Sequence, residues 1–202
     1  MPDKRSYVSP LREQAATRTR ELILGSAVEL FAGRGYGLVT VADIAAAAGV
    51  SAKTVFASVG SKADILNRIV DQGVADSGYE QATRHVLAQH TPAAVIDALA
   101  RGTRAGNEGQ FAVHQAIRKA LPSHESGEEL WRRATADYRA ALEATAAHLH
   151  TLTPAPAGPP DETAGLLWLW FGPTSWHTLV VENGWTWDHA ETVLRRIATA
   201  AL

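Results

Sequence analysis

The sequence predicts an all-α protein, with an N-terminal three-helix bundle holding a helix-turn-helix and a larger C-terminal helical bundle. Three observations carry this. Apolar residues recur with a helical period in segment after segment. Most segments open on Ser, Thr or Asp and close on Gly or Gly-Pro. Alanine is abundant, and no convincing strand appears.

The elements follow in order. Residues 1–17 show no clear period and carry Lys4, Arg5 and Arg12, which reads as a mobile basic arm running into a helix. From about Thr19 to Gly33, Ile23, Ala27, Leu30 and Phe31 share one helical face, and Arg34-Gly35-Tyr36-Gly37 ends it. Thr40 is placed to cap a helix, with Asp43 in its first turn. Val41, Ile44, Ala45 and Ala48 give that helix an inner face, and Gly49 stands where a left-handed C-cap belongs. Ser51 caps the next short helix, about Ala52 to Ser58, with Val55 and Val59 pointing inward. After Gly60, Ser61-Lys-Ala-Asp64 repeats the start signal, and Ile65, Leu66, Ile69 and Val70 continue a further helix.

The later segments are less distinctive. Thr91-Pro92 opens a helix to about Arg104. Gly109 to Leu121 and about Gly127 to Leu152 read as two more, and TPAPAGPP at 153–160 is a loop. Asp161 is expected to cap a very apolar segment through Phe171. Gly172-Pro173 breaks it, and a new helix runs to Glu182. Asn183-Gly184 ends that helix. Thr186 caps the last one, whose stripe is Val193, Leu194 and Ile197. The division expected is residues 1–66 and 67–202.

Charge is unevenly spread. Residues 1–70 hold nine Lys/Arg and six Asp/Glu, net +3, while residues 71–202 hold ten and fifteen, net −5. A positive end suits a phosphate-facing module, and an acidic body limits non-specific sticking. With no cysteine, disulfides, thiolate nucleophiles and cysteine-ligated zinc are excluded. No run of about 18 apolar residues suggests a membrane span, and the basic N-terminus lacks a secretory signal's apolar stretch, so the cytoplasm is the expected compartment.

The informative stretch is 40–59, TVADIAAAAGVSAKTVFASV: two short capped helices joined by Gly49-Val50-Ser51. Small inner residues, Ala45, Ala46 and Ala48, let the helices approach closely, and Val50 plugs the angle between them. In such a unit the second helix enters the major groove while the first crosses the phosphate backbone. Lys53 and Thr54 are placed to meet base edges or phosphate. Thr40, Ser51, Ser58 and Lys62 are candidates for phosphate oxygens, with Ala52 beside them and Arg20 and Arg12 adding backbone charge.

Residues 18–70 resemble the TetR family of regulators, in an actinobacterial type. The resemblance runs through Thr19-Arg20, Leu30-Phe31, Gly35-Tyr36 and Thr40-Val-Ala-Asp-Ile-Ala45. Ala48-Gly-Val-Ser51, Thr54-Val-Phe56 and Ser61-Lys-Ala-Asp-Ile-Leu66 complete it. It implies a DNA-binding head and a helical ligand-binding and dimerisation body. One departure is Phe56, where the family usually has tyrosine; the ring is kept and the hydroxyl, a frequent phosphate contact, is lost. Ser58 and Val59 stand where an aromatic pair is frequent.

In the body, Trp168, Trp170, Trp176, Trp185 and Trp187 cluster, and Leu166 to Phe171 is apolar all round. A lone amphipathic helix needs one buried face, so the excess suggests a homodimer interface. Leu169, Trp170, Trp176, Leu179, Val180, Val193, Leu194 and Ile197 are its expected residues. Phe111, His114, Trp131, Tyr138, Trp168 and Phe171 are candidates to line a ligand pocket. All eight histidines lie after residue 84 without a His-Glu-x-x-His spacing, so no metal is expected. No nucleophile elbow, P-loop or dinucleotide fingerprint appears, so no catalysis and no cofactor is expected.

The expectation is a dimeric regulator of a palindromic double-stranded operator, released by a small apolar or aromatic effector. The alternatives are a small-molecule-binding or enzymatic helical protein with a vestigial helix-turn-helix, and a regulator that activates or whose signal is a partner protein.

Overall fold

The computed structural model describes residues 10–124 and 126–202, and every regular element among them is helical. Lys4 and Arg5 of the expected arm lie outside the described residues. Arg12 does not belong to an arm, because helix α1 runs Pro10–Arg34. Proline suits a first turn, having no amide to leave unpaired, and Glu13 complements the N-terminal dipole there. These first turns bury no stripe, with Leu11 77% exposed. Helix formers such as Ala15 and Ala16, not an apolar period, carry them.

The chain forms two compact units. The first holds residues up to Gln72 together with Gln115–Trp131, and the second holds Gly73–His114 with Arg132–Leu202. The first unit contains α1, a 3-10 turn Tyr36–Leu38, α2 (Val41–Ala47), α3 (Ala52–Val59) and most of α4 (Lys62–Asp76). Helix α1 packs on α2 and α3. Ile23, Ala27, Phe31, Ile44, Val55, Ile65 and Leu66 are sealed from solvent. Ala46 is exposed, so the close approach relies on Ala45 and the half-buried Ala48.

The second unit is built from α5 (Tyr79–Leu87), α6 (Pro92–Gly109), α7 (Phe111–Ala120), α8 (Gly127–Leu149), α9 (Pro160–Phe171), α10 (Pro173–His177) and α11 (Trp187–Ala201). Of these, α7 and α8 also supply Gln115–Trp131 to the first unit. Helix α6 packs between α5 and α11. Leu99, Leu142, Leu149, Leu167, Phe171, Trp176 and Leu194 share the core.

Three local expectations are corrected. Pro159 is the N-cap of α9, without a side-chain bond, and Asp161 lies inside the first turn because Pro160 starts the helix. The helix opened by Pro173 widens after His177 into a π-turn, Thr178–Glu182. The buried stripe of α11 is Ala190, Leu194 and Ala198, while Ile197 is 42% exposed. Among the described residues no single helix is long and apolar enough to cross a membrane.

Candidate nucleic-acid interface

The head begins with a reciprocal cap. The Thr40 hydroxyl accepts from the Asp43 amide at 3.1 Å, and the Asp43 carboxylate accepts from the Thr40 amide at 2.8 Å. The Thr40 hydroxyl also donates to Asp43 Oδ2 at 2.7 Å. Those bonds, with Arg34 3.6 Å away, hold the Asp43 carboxyl below the ordinary aspartate range. Gly49 ends the turn at φ +68°, a left-handed conformation that side chains resist. The Val50 amide donates to the Ala45 carbonyl at 2.9 Å. Helices α2 and α3 meet at 100°.

Helix α3 is capped by Ser51, whose hydroxyl accepts from the Thr54 amide at 3.1 Å and pairs with the Thr54 hydroxyl at 2.8 Å. Two hydroxyls sharing one bond leave one proton free for an outside acceptor. Val55 and Val59 are buried on the inner side. Ala52, Lys53 and Ala57 are exposed, Phe56 is 56% exposed, and Thr54 and Ser58 are half-buried. The outer face of α3 therefore presents a cation, an aromatic ring and a hydroxyl pair. Arg20 is exposed on α1.

Two of the expected phosphate contacts also make bonds inside the head. The single hydroxyl proton of Thr40 goes to Asp43, so it is not available to an outside anion. The Lys62 ammonium donates to the carbonyls of Tyr36 and Val39, each at 3.0 Å, and sits over the Tyr36 ring. It closes the 3-10 turn that precedes α2. Arg68, unremarked in the sequence, donates to the Val59 carbonyl at 3.2 Å and so finishes α3. At the start of α4, Asp64 accepts from the Ser61 amide at 2.8 Å and from its hydroxyl at 2.7 Å. Gly60 before it is at φ +93°, and a Cβ there would lie 2.5 Å from Asp64 Oδ2.

The expected interface residues of the second unit divide in two. Leu169 is 62% exposed and Ile197 is 42% exposed. Trp170, Leu179, Val180 and Val193 are half-buried. Trp176 and Leu194, at 1% and 5% exposure, are consumed by the chain's own core and leave the set. Val181, 48% exposed, was not anticipated.

The expected pocket residues also divide. Trp131 belongs to the first unit and the other five to the second. There Phe111 meets Trp187 edge-on at 5.7 Å, and Tyr138 meets Trp168 edge-on at 5.9 Å. Phe171 is fully buried, and its carbonyl accepts from the Tyr138 hydroxyl and from Trp176 Nε1. Burial pushes the Tyr138 phenol up and the His114 imidazole down to about 4. The buried pair Thr103 and Asn107 beside Tyr138 was not legible, since neither sits in a recognisable motif.

Two short capped helices at 100°, the second with an open polar and aromatic face, define a helix-turn-helix DNA-binding protein. Residues 23–69 match the model of bacterial regulatory proteins of the tetR family. This segment is therefore a tetR-type helix-turn-helix, the DNA-binding head of a transcriptional regulator. No curated protein matches the sequence.

Similar solved structures share the fold. One is a Saccharomonospora viridis protein described as a transcriptional regulator in complex with choline (20% identity, 89% of this chain and 95% of that chain, TM-score 0.71). Another is the TetR family transcriptional regulator PfmR of Thermus thermophilus (20%, 96% and 97%, 0.66). A third is the fatty acid degradation regulator FadR of Bacillus halodurans (13%, 89% and 94%, 0.69).

Proposed function

We propose that the protein is a cytoplasmic homodimeric repressor, without enzymatic activity, that leaves a palindromic operator when a small apolar or aromatic molecule binds its body. The observation that carries the reading is the outer face of α3, where Lys53 and Phe56 are free of the core while Val55 and Val59 anchor the helix. Lys53 meets guanine or phosphate, and the ring of Phe56 meets sugar or a thymine methyl. Arg20, Ser51, Ala52, Thr54 and Ser58 complete the DNA-facing set.

One α3 reads few base pairs, so two copies about 34–36 Å apart read a palindrome. Leu169, Val181 and Ile197 are large apolar side chains left on the surface of the second unit. They support a dimer seam formed with Trp170, Leu179, Val180 and Val193. The aromatic groups Phe111, Tyr138, Trp168 and Phe171, with His114, support a ligand site in the body. Ligand and DNA oppose one another through a coupling of roughly 1–3 kcal/mol.

Fluorescence anisotropy with DNA flanking the protein's own gene tests this. A specific shift that weakens steeply with salt is expected. Absence of any salt-sensitive, sequence-specific binding to an upstream palindrome overturns the reading.

A further inference from the structure

We propose that the Asn107 side chain is the polar anchor of the effector site, and that the effector is a neutral molecule offering it one hydroxyl or N–H from an otherwise apolar or aromatic body. The inference rests on the ligand-controlled reading above. Asn107 lies on α6 and is 3% exposed. Its Nδ2 donates to the Thr103 carbonyl at 2.8 Å and to the Tyr138 hydroxyl oxygen at 3.1 Å. Both amide protons are thereby used. The amide cannot be turned round, because the Thr103 carbonyl only accepts. The atom left over is Oδ1, a buried acceptor without a partner.

The groups around it are satisfied. The Tyr138 hydroxyl donates to the Phe171 carbonyl, and Trp176 Nε1 donates to the same oxygen at 3.0 Å. That carbonyl is open because Gly172 and Pro173 end α9, and the Ser175 amide turns to Gly172 instead. The Thr103 hydroxyl donates to the Leu99 carbonyl at 2.8 Å. One acceptor is thus unmatched in an otherwise closed network, which native cores rarely tolerate. A donor arriving with a ligand completes it.

The aromatic rings give the class of the remaining body. Tyr138 borders Trp168, and Trp176 stacks at 5.6 Å on Trp187, which borders Phe111. Flat apolar groups pack favourably against such ring edges and faces. The carboxylates next in sequence to this cluster are already engaged: Glu108 and Asp188, with Glu191, are tied to Arg104, and Asp137 pairs with the Tyr79 hydroxyl, while the Arg139 guanidinium already covers the Trp168 ring. A buried cation would find no dedicated counter-charge here, and its desolvation cost favours a neutral donor on the amide oxygen.

A thermal-shift and calorimetry screen of matched pairs on the full chain tests this, each donor paired with its methyl-capped twin: indole with 1-methylindole, 2-naphthol with 2-methoxynaphthalene. The wild type is expected to bind donors at least about tenfold more tightly than their twins. Asn107→Leu is expected to reduce that preference to under about twofold, and Tyr138→Phe to keep it, since Oδ1 remains. Should Asn107→Leu fail to fold, a crystal structure with the tightest binder decides, with a ligand donor on Oδ1 expected. Equal binding of twins by the wild type, preference surviving in Asn107→Leu, or Oδ1 bonded only to water overturns the anchor while ligand binding stands. If no compound binds, the ligand-controlled reading fails and takes this inference with it.

Discussion

The Lys62 ammonium lies 4.2 Å from the centroid of the Tyr36 ring and 3.0 Å from the Tyr36 carbonyl oxygen, so two of its three protons and its ring contact are held inside the head. Replacing it removes two charge-assisted bonds and a cation–π contact. Lys62→Met is expected to destabilise the protein by about 1–2 kcal/mol, less than two buried bonds would suggest because the site is part-exposed. Urea denaturation checks the cost. In operator titrations the same variant should keep the wild-type salt slope.

Lys53 behaves in the opposite way. It is exposed on α3, and it is proposed to face DNA. Lys53→Ala should leave the urea midpoint within experimental scatter and lower the salt slope of operator binding by about 1 if the contact is to phosphate. A uniform slope with relaxed sequence preference would place the contact on a base instead.

The head's caps were legible because each is a local device spanning three residues. Thr40 with Asp43, Ser51 with Thr54, and Ser61 with Asp64 all stand as their sequence spacing implies. Thr40→Ala is expected to cost about 1 kcal/mol in the same denaturation assay.

What was not legible is what depends on distant chain. Lys62 reads as a phosphate ligand until Tyr36, 26 residues away, is brought under it. Trp176 and Leu169 read alike as apolar anchors, and only packing separates a core residue from a surface one. The N-terminal turns of α1 were missed because they bury nothing, and periodicity reports burial. Asn107 was missed because a single polar residue in a helix says nothing about which partner it lacks.

His114 sets an acid limit on stability. Burial holds its imidazole neutral in the folded protein, with the pKa pushed down from 6.5 to about 4. The unfolded chain binds the proton first as pH falls. The stabilisation is complete above pH 6.5, declines as pH drops through that value, and is fully lost near pH 4. The loss across the window is at most about 3 kcal/mol. Urea titrations at pH 7 and pH 5 should show the wild type weakening more than His114→Leu, and equal pH dependence of the two would disprove the assignment.

The proposed seam separates two kinds of tryptophan-rich surface. Leu169 on α9 and Ile197 on α11 are exposed in the single chain, whereas Trp176 is buried in its own core. Leu169→Glu with Ile197→Glu should therefore leave each chain folded but prevent pairing, because two like charges would be desolvated across the two-fold axis. Light scattering is expected to give a monomer, and operator binding should fall steeply because a single α3 reads only half the palindrome. Trp176→Ala should instead destabilise the chain by roughly 3–5 kcal/mol through the cavity it leaves. If the double variant remains a dimer of unchanged affinity, the pairing surface lies elsewhere on the second unit, and the exposed apolar residues need another explanation.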